Sequence, residues 1–240
     1  MITTRSDVGR VSRAKYSVHR FEWRVVRALP CLTLCSALSL TACGRSIGHS
    51  TQAPSYDLQR LGVDGLPYTG NGDFASQPWN CVADRHSGLV WEVKTTQAGL
   101  RSKDNTYSWY NPDKFTNGGA AGTLDGGKCN GSACNTLAYV EAVNSQSLCG
   151  QHDWRLPTQK ELSTINDPRI DFPGPTLDMR FFPETHSGQY WTGVAYGSYY
   201  GGAWAWSFDY GYDRVDWKKT PKYLRLVRGK LAIQVKDPDD

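Results

Sequence analysis

Hydrophobic and polar positions alternate over residues 88–93, which puts Leu89, Trp91 and Val93 on one face of a strand and Val90 and Glu92 on the other. Residues 106–110 read as another strand, followed by a glycine-rich loop over 117–127. Residues 135–144 read as a helix, with Leu137, Val140 and Val143 on or near one face. Strand patterns return at 190–194, 203–208, 212–217 and 223–228, and the turn Asp209-Tyr210-Gly211 makes a hairpin of the middle two. In that hairpin Trp204, Trp206 and Phe208 share one face while Ala203, Ala205 and Ser207 share the other, and the aromatic face is the one expected to be buried. The pattern predicts an α+β domain of mostly antiparallel strands with two short helices.

The second helix is marked by its cap. Thr158 followed by Glu161 forms a capping box, in which the hydroxyl accepts from the Glu161 amide and the carboxylate reaches back to the Thr158 amide. A helix therefore starts at Gln159, with Pro157 placed to pack on Leu162, and Asn166-Asp167-Pro168 ends it. So short a helix is unstable alone, and Trp154 and Leu156 are placed to hold it to the rest of the domain.

The run Asp153-Trp154-Arg155-Leu156-Pro157-Thr158, with Glu161-Leu162 after it, also carries a resemblance. Together with Gly88-Leu89-Val90-Trp91-Glu92, Tyr190-Trp191-Thr192, Ala203-Trp204 and Leu226-Val227-Arg228-Gly229, it resembles the Legionella collagen-like protein (Lcl) C-terminal domain family from about Trp79 to Gly229. The resemblance implies a C-type-lectin-like fold and an exported or surface protein, some members being adhesin-like. The calcium-dependent sugar-binding signatures of C-type lectins are absent.

The amino terminus changes the charge picture. A basic stretch precedes an apolar run of 15 residues from Ala28 to Ala42, too short for a comfortable membrane span and suited to a signal peptide. It ends in Leu40-Thr41-Ala42-Cys43-Gly44, which resembles a bacterial lipobox, so residues 1–42 are expected to be cleaved and Cys43 lipidated. The competing reading is an ordinary secretory signal with an incidental cysteine. Gly44 after the cysteine favours delivery to the outer membrane, and several acyl chains would give stable membrane anchoring. The leader holds 7 of the 27 basic and 2 of the 23 acidic residues, so the chain's +4 becomes −1 after cleavage, which gives no support to a nucleic-acid partner. Residues 43–77, rich in Ser, Gly, Pro, Asp and Thr, read as a flexible tether in which Tyr56, Leu58, Leu61 and Leu66 offer docking points. The domain is expected over 78–230, with a polar tail over 231–240.

Four further cysteines, Cys81, Cys129, Cys134 and Cys149, make an even number in an exported chain, and two disulfides are expected. Three pairings exist and the sequence does not separate them. A helix over 135–144 puts Cys134 and Cys149 at its opposite ends, which favours Cys129 with Cys134 and Cys81 with Cys149.

Candidate binding chemistry lies in the second half. Of the 28 residues from Tyr190 to Trp217, 11 are aromatic, and core packing with cross-strand pairing accounts for most of them. Tyr196, Tyr199 and Tyr200 differ because they occupy a loop bounded by Gly197, Gly201 and Gly202, where exposed tyrosines meet sugars or protein partners. Over residues 214–230 seven basic residues face one carboxylate, Asp216. Lys218, Lys219, Lys222 and Arg225, with Tyr199 and Tyr200, are the ligand-binding candidates, for sulfate or carboxylate groups of an acidic glycan or for a surface protein. The competing reading is a solvated turn with strand arginines paired to Glu92, Asp153 or Glu161.

No catalytic, cofactor or metal motif emerges. Gly122 and Gly127-Lys128 imitate a phosphate loop, but Cys129 stands where a magnesium-binding Ser or Thr is needed and no apolar strand precedes it. His86, His152 and His186 have no evident partners in sequence. The expectation is a lipid-anchored envelope binding or adhesion module. A structural envelope lipoprotein without a soluble ligand is the alternative, and an enzyme, requiring a pocket that gathers His152 or His186 with carboxylates, is the third.

Overall fold

The computed structural model describes residues 56–232. The expected leader and lipidation site at Cys43, residues 43–55 of the expected tether and residues 233–240 of the tail lie outside the described residues. Among the described residues no helix is long and apolar enough to cross a membrane.

Strands β1 (Leu58–Leu61), β2 (Cys81–Asp84) and β3 (Leu89–Glu92) pair antiparallel and are completed by β7 (Val227–Gly229), in the order β1-β2-β3-β7. Strands β4 (Gln189–Ala195), β5 (Gly202–Ser207) and β6 (Tyr212–Trp217) form a second antiparallel sheet in sequence order. Helices α1 (Thr136–Ser145) and α2 (Gln159–Ser163) lie between β3 and β4 in the chain, so the fold is α+β. The tether expectation is corrected for its second half. Residues 58–61 are an edge strand of the first sheet, and Tyr68 and Phe74 pack on Trp79, so their apolar side chains are held by the domain.

Alternation along the strands distributes side chains between two cores. Val82, Leu89, Trp91 and Val227 enter one, with Leu162, Phe182 and Tyr190; Cys81, Val90 and Leu226 face the other, with Tyr107, Trp109, Tyr139, Trp154 and Trp191. The first sheet is therefore covered on both sides. Strand β5 is split in the same way: Trp206, and Phe208 just after the strand, join one core, while Ala203 and Ala205 are fully buried in the other. The expected one-sided burial is thus corrected. The alanine face is needed because it is opposed by large indoles: Ala205 pairs directly with Trp191, whose Nε1 donates to Tyr107 O at 2.9 Å.

The 106–110 stretch does not become a strand. Its residues bridge to four different partners, Lys128, Lys222, Asn135 and Gly122, so no continuous ladder forms. The predicted strand over 223–228 shrinks to β7 for a related reason: Tyr223 bridges to β4 and Val227 to both β3 and Arg155, making this segment the seam between the sheets. In α1 the N-cap is Asn135, whose side chain accepts from Ala138 N. Thr136, Tyr139 and Val143 turn inward, leaving Leu137 and Val140 only half-buried. Helix α2 has the capping box, and Glu161 also takes a bidentate contact from Arg155 at 2.6 and 2.8 Å. Trp154 anchors the end of α1 rather than α2, its Nε1 donating to Leu148 O at 2.9 Å and its backbone N to the Asn144 side chain at 2.8 Å.

The structure joins Cys81 to Cys149, across 68 residues, and Cys129 to Cys134, across 5. The first bond ties β2 to the turn after α1, and the second closes a surface loop. By the loop-entropy relation the C81A/C149A protein is expected to lose about 4 kcal/mol and C129A/C134A about 2 kcal/mol. Denaturant midpoints of the two variants check this order.

A charge cluster sits between the cores. The fully buried Glu92 carboxylate accepts from Lys94 Nζ at 3.0 Å, from Leu226 N at 3.0 Å and from the Tyr139 hydroxyl. Arg101 Nε lies 3.9 Å away. Burial pushes the Glu92 carboxyl up, but Lys94, Arg101 and the hydrogen bonds outweigh it and hold the group below its ordinary 4.5. Burial also pulls the Lys94 ammonium down to about 8, against the opposing pull of Glu92.

Because the folded Glu92 pKa is depressed, the unfolded chain takes up the proton first on acidification. The contribution is present above pH 4.5 and is lost as pH falls through the folded value. Glu92→Gln strands buried cations and is expected to cost about 3–5 kcal/mol at neutral pH. Thermal melts should show the gap between wild type and Glu92→Gln narrowing as pH falls below 4.5.

Candidate functional site

The second sheet opens at the end where β4 leaves, β5 begins and β6 stops. Gly202 pairs with Trp217 there, and a glycine is required because a Cβ would come within 3.0 Å of both Tyr199 and Val215. With no side chain opposite it, the Trp217 indole turns outward and is 52% exposed. Tyr199 meets it edge-on at 4.7 Å between centroids and is 39% exposed, while Tyr200 beside it is 67% exposed. Tyr196 packs edge-on against Trp204 at 5.5 Å.

The loop that carries these tyrosines is closed by its own backbone. Tyr196 N donates to Gly202 O at 3.1 Å, Gly202 N to Tyr199 O at 2.8 Å, and Lys218 N to Gly201 O at 2.8 Å. It also leans on the loop around residue 119, where Gly119, at φ +93, lets the Tyr200 ring approach. A Cβ there would sit 2.6 Å from a ring carbon. The same loop presents Phe115, 86% exposed, with Lys114 Nζ 5.3 Å from its ring centroid.

The predicted cation cluster does not assemble into a surface. Lys218 is 2% exposed and donates to three backbone carbonyls, Asn117 O, Ala120 O and Tyr200 O. Lys222 is buried over the Trp191 ring, paired with Asp216 at 2.6 Å and with the Gln189 side chain. Arg225 is fully buried, donating to Glu92 O at 2.6 Å and Thr185 Oγ1 at 2.5 Å over the Phe182 ring. These donors serve carbonyls and carboxylates inside the seam between the sheets, which removes them from any solvent ligand. Lys219 alone of the four stays exposed, its Nζ 5.6 Å from the Trp217 ring centroid. Arg228 pairs with Asp153 at 2.6 Å.

The structure therefore brings Tyr199 and Lys219 to Trp217, with Tyr200 next in the chain and packed against Gly119. Trp217 does not stand out in the sequence, because it closes an alternating strand like a core residue. Its signal was the glycine pair Gly201-Gly202, which leaves no side chain in β5 to cover it.

Elsewhere, a shallow apolar groove of about 300 Å³ runs between α1 and the start of α2, lined by Trp109, Leu137, Val140, Leu156 and Gly193. His152 is engaged by Asn144 O and Ser147 Oγ, and His186 pairs with the exposed Asp104 at 2.7 Å while stacking on Tyr223. Among the described residues no three His, Cys, Asp or Glu side chains converge on a metal position.

These features define a disulfide-stapled α+β domain with an aromatic rim on one sheet end. Residues 80–228 match the Lcl C-terminal domain, and the chain belongs to that family. No curated protein and no solved structure matches the chain.

Proposed function

We propose that this protein is an exported, lipid-anchored binding module of a bacterial cell envelope, and that its aromatic rim engages a surface glycan. The observation that carries the reading is the exposure of Tyr199 and Tyr200, on a loop held by its own backbone bonds, together with that of Trp217 at the end of β6, which Tyr199 meets edge-on. Exposed aromatic faces in a fixed arrangement stack on the apolar faces of sugar rings, and rigid aromatics lose little entropy on binding. Membership of the Lcl family supports a surface role, and the two disulfides fit an oxidising compartment. The leader and the lipobox at Cys43 support the membrane anchor.

The burial of Lys218, Lys222 and Arg225 shifts the recognition chemistry from charge to stacking. Lys219 over Trp217 supplies one cation for a carboxylate or sulfate on the same glycan. A binding role is favoured over an enzymatic one, because His186 and Asp104 meet on an open surface and His152 binds a backbone carbonyl and a serine hydroxyl.

The test is a glycan array with the purified protein and the Tyr199→Ala, Tyr200→Ala and Trp217→Ala variants. Trp217→Ala is expected to cost about 2 kcal/mol, roughly thirtyfold in affinity, as a central aromatic anchor does. Lys219→Ala should remove most of the modest salt dependence and little of the affinity at high salt. Equal binding by the wild type and all three aromatic variants would overturn the assignment, as would capture of surface proteins in place of any glycan.

A further inference from the structure

Lys218 places its ammonium where backbone carbonyls of two loops converge. Its Nζ lies 2.7 Å from Asn117 O, 2.6 Å from Ala120 O and 2.7 Å from Tyr200 O. An ammonium has three donors and no acceptor, so three carbonyls use its full capacity. The charge also stands 4.6 Å from the Trp109 ring centroid, in a site with almost no solvent access. No carboxylate is among these acceptors. Three neutral carbonyl oxygens match the three donors of an ammonium and fall short of the roughly six to eight oxygens that Ca²⁺ takes.

The three carbonyls come from two loops far apart in sequence. Asn117 and Ala120 are 101 and 98 residues from Lys218 in sequence, and Tyr200 belongs to the rim loop. Without a cation, three carbonyl dipoles would point into one buried space with no donor, an unfavourable arrangement at low local dielectric. With it, the loop bearing Gly119 is held against the Tyr200 ring, and Tyr199 is held where it meets Trp217. The backbone of Lys218 completes the tie, since its N–H donates to Gly201 O and its carbonyl accepts from Trp109 N, each at 2.8 Å.

We infer that Lys218 is the built-in cation of the aromatic site: a positioning residue whose ammonium, and not a bound metal ion, ties the 117–120 loop to the rim loop, so that the rim is preorganised for its glycan. This rests on the proposed binding site. Its structural half stands without it.

The experiment compares wild type, Lys218→Met and Lys218→Arg as full chains by amide hydrogen exchange, with and without excess EDTA, alongside the glycan array. Lys218→Met keeps the stem and removes the donors. Exchange over 117–122 and 196–202 is expected to rise about tenfold or more in Lys218→Met, with β2, β3 and α1 unchanged. Lys218→Arg, which keeps charge and donors, should restore much of the protection. EDTA should change neither exchange nor glycan binding in the wild type.

Unchanged loop protection in Lys218→Met would overturn the inference, and so would loosening of the wild-type loops by EDTA. Loss of protection across the whole domain would also overturn it, by making Lys218 a general determinant of the fold. If the loops loosen as expected but the wild type binds no glycan, the brace stands and the binding reading fails.

Discussion

The buried carboxylate of Glu92 is the contact on which the remaining structure depends. It lies on β3, between two aromatic cores, and accepts from Lys94, from Tyr139 on α1 and from the backbone of Leu226 just before β7. One carboxylate thereby fixes a helix, a sheet and the inter-sheet seam relative to each other. Such an arrangement contributes less net stability than its contacts suggest, because each charge was taken out of water. Its effect is geometric: any packing of α1 or of the 223–229 segment that misses Glu92 leaves a buried charge without its partner.

The same economy recurs through the domain. Regular structure is sparse, with strands of 3 to 7 residues and helices of 5 and 10, so many backbone carbonyls have no ladder to join. Long cationic side chains, most of them buried, meet that need. Lys218 serves two loops, Arg225 serves Glu92 O, Arg101 serves Val93 O at 2.7 Å and Arg155 serves Gly229 O at 2.9 Å. A cluster that looks in sequence like a ligand-binding patch is, for the most part, the framework that lets irregular loops be rigid. The rim benefits, since exposed aromatics bind well only where their entropy has already been spent in folding.

Much of the fold was legible because it is written in local terms. The alternation at β3, β4, β5 and β6, the helix pattern over 135–144 and the Thr158–Glu161 box all act within a few residues, and the structure contains each of them. Two kinds of feature were not legible. The 106–110 stretch has strand chemistry but spends its hydrogen bonds on four partners, and nothing local announces that. The role of the basic residues was hidden for the same reason, since lysine next to lysine in sequence says nothing of whether a carbonyl shell awaits one of them.

The sequence by itself determined the periodicities, the α2 capping box, the even cysteine count and the tyrosine loop bounded by glycines, because these depend on dihedral preferences and nearest neighbours. Tertiary structure alone decided which cations are inside. Lys218 and Lys219 are adjacent and chemically identical, yet one is enclosed by three carbonyls and the other lies exposed beside an indole. The difference comes from backbone about 100 residues upstream, in the 117–120 loop, that folding brings to one side of the chain and not the other.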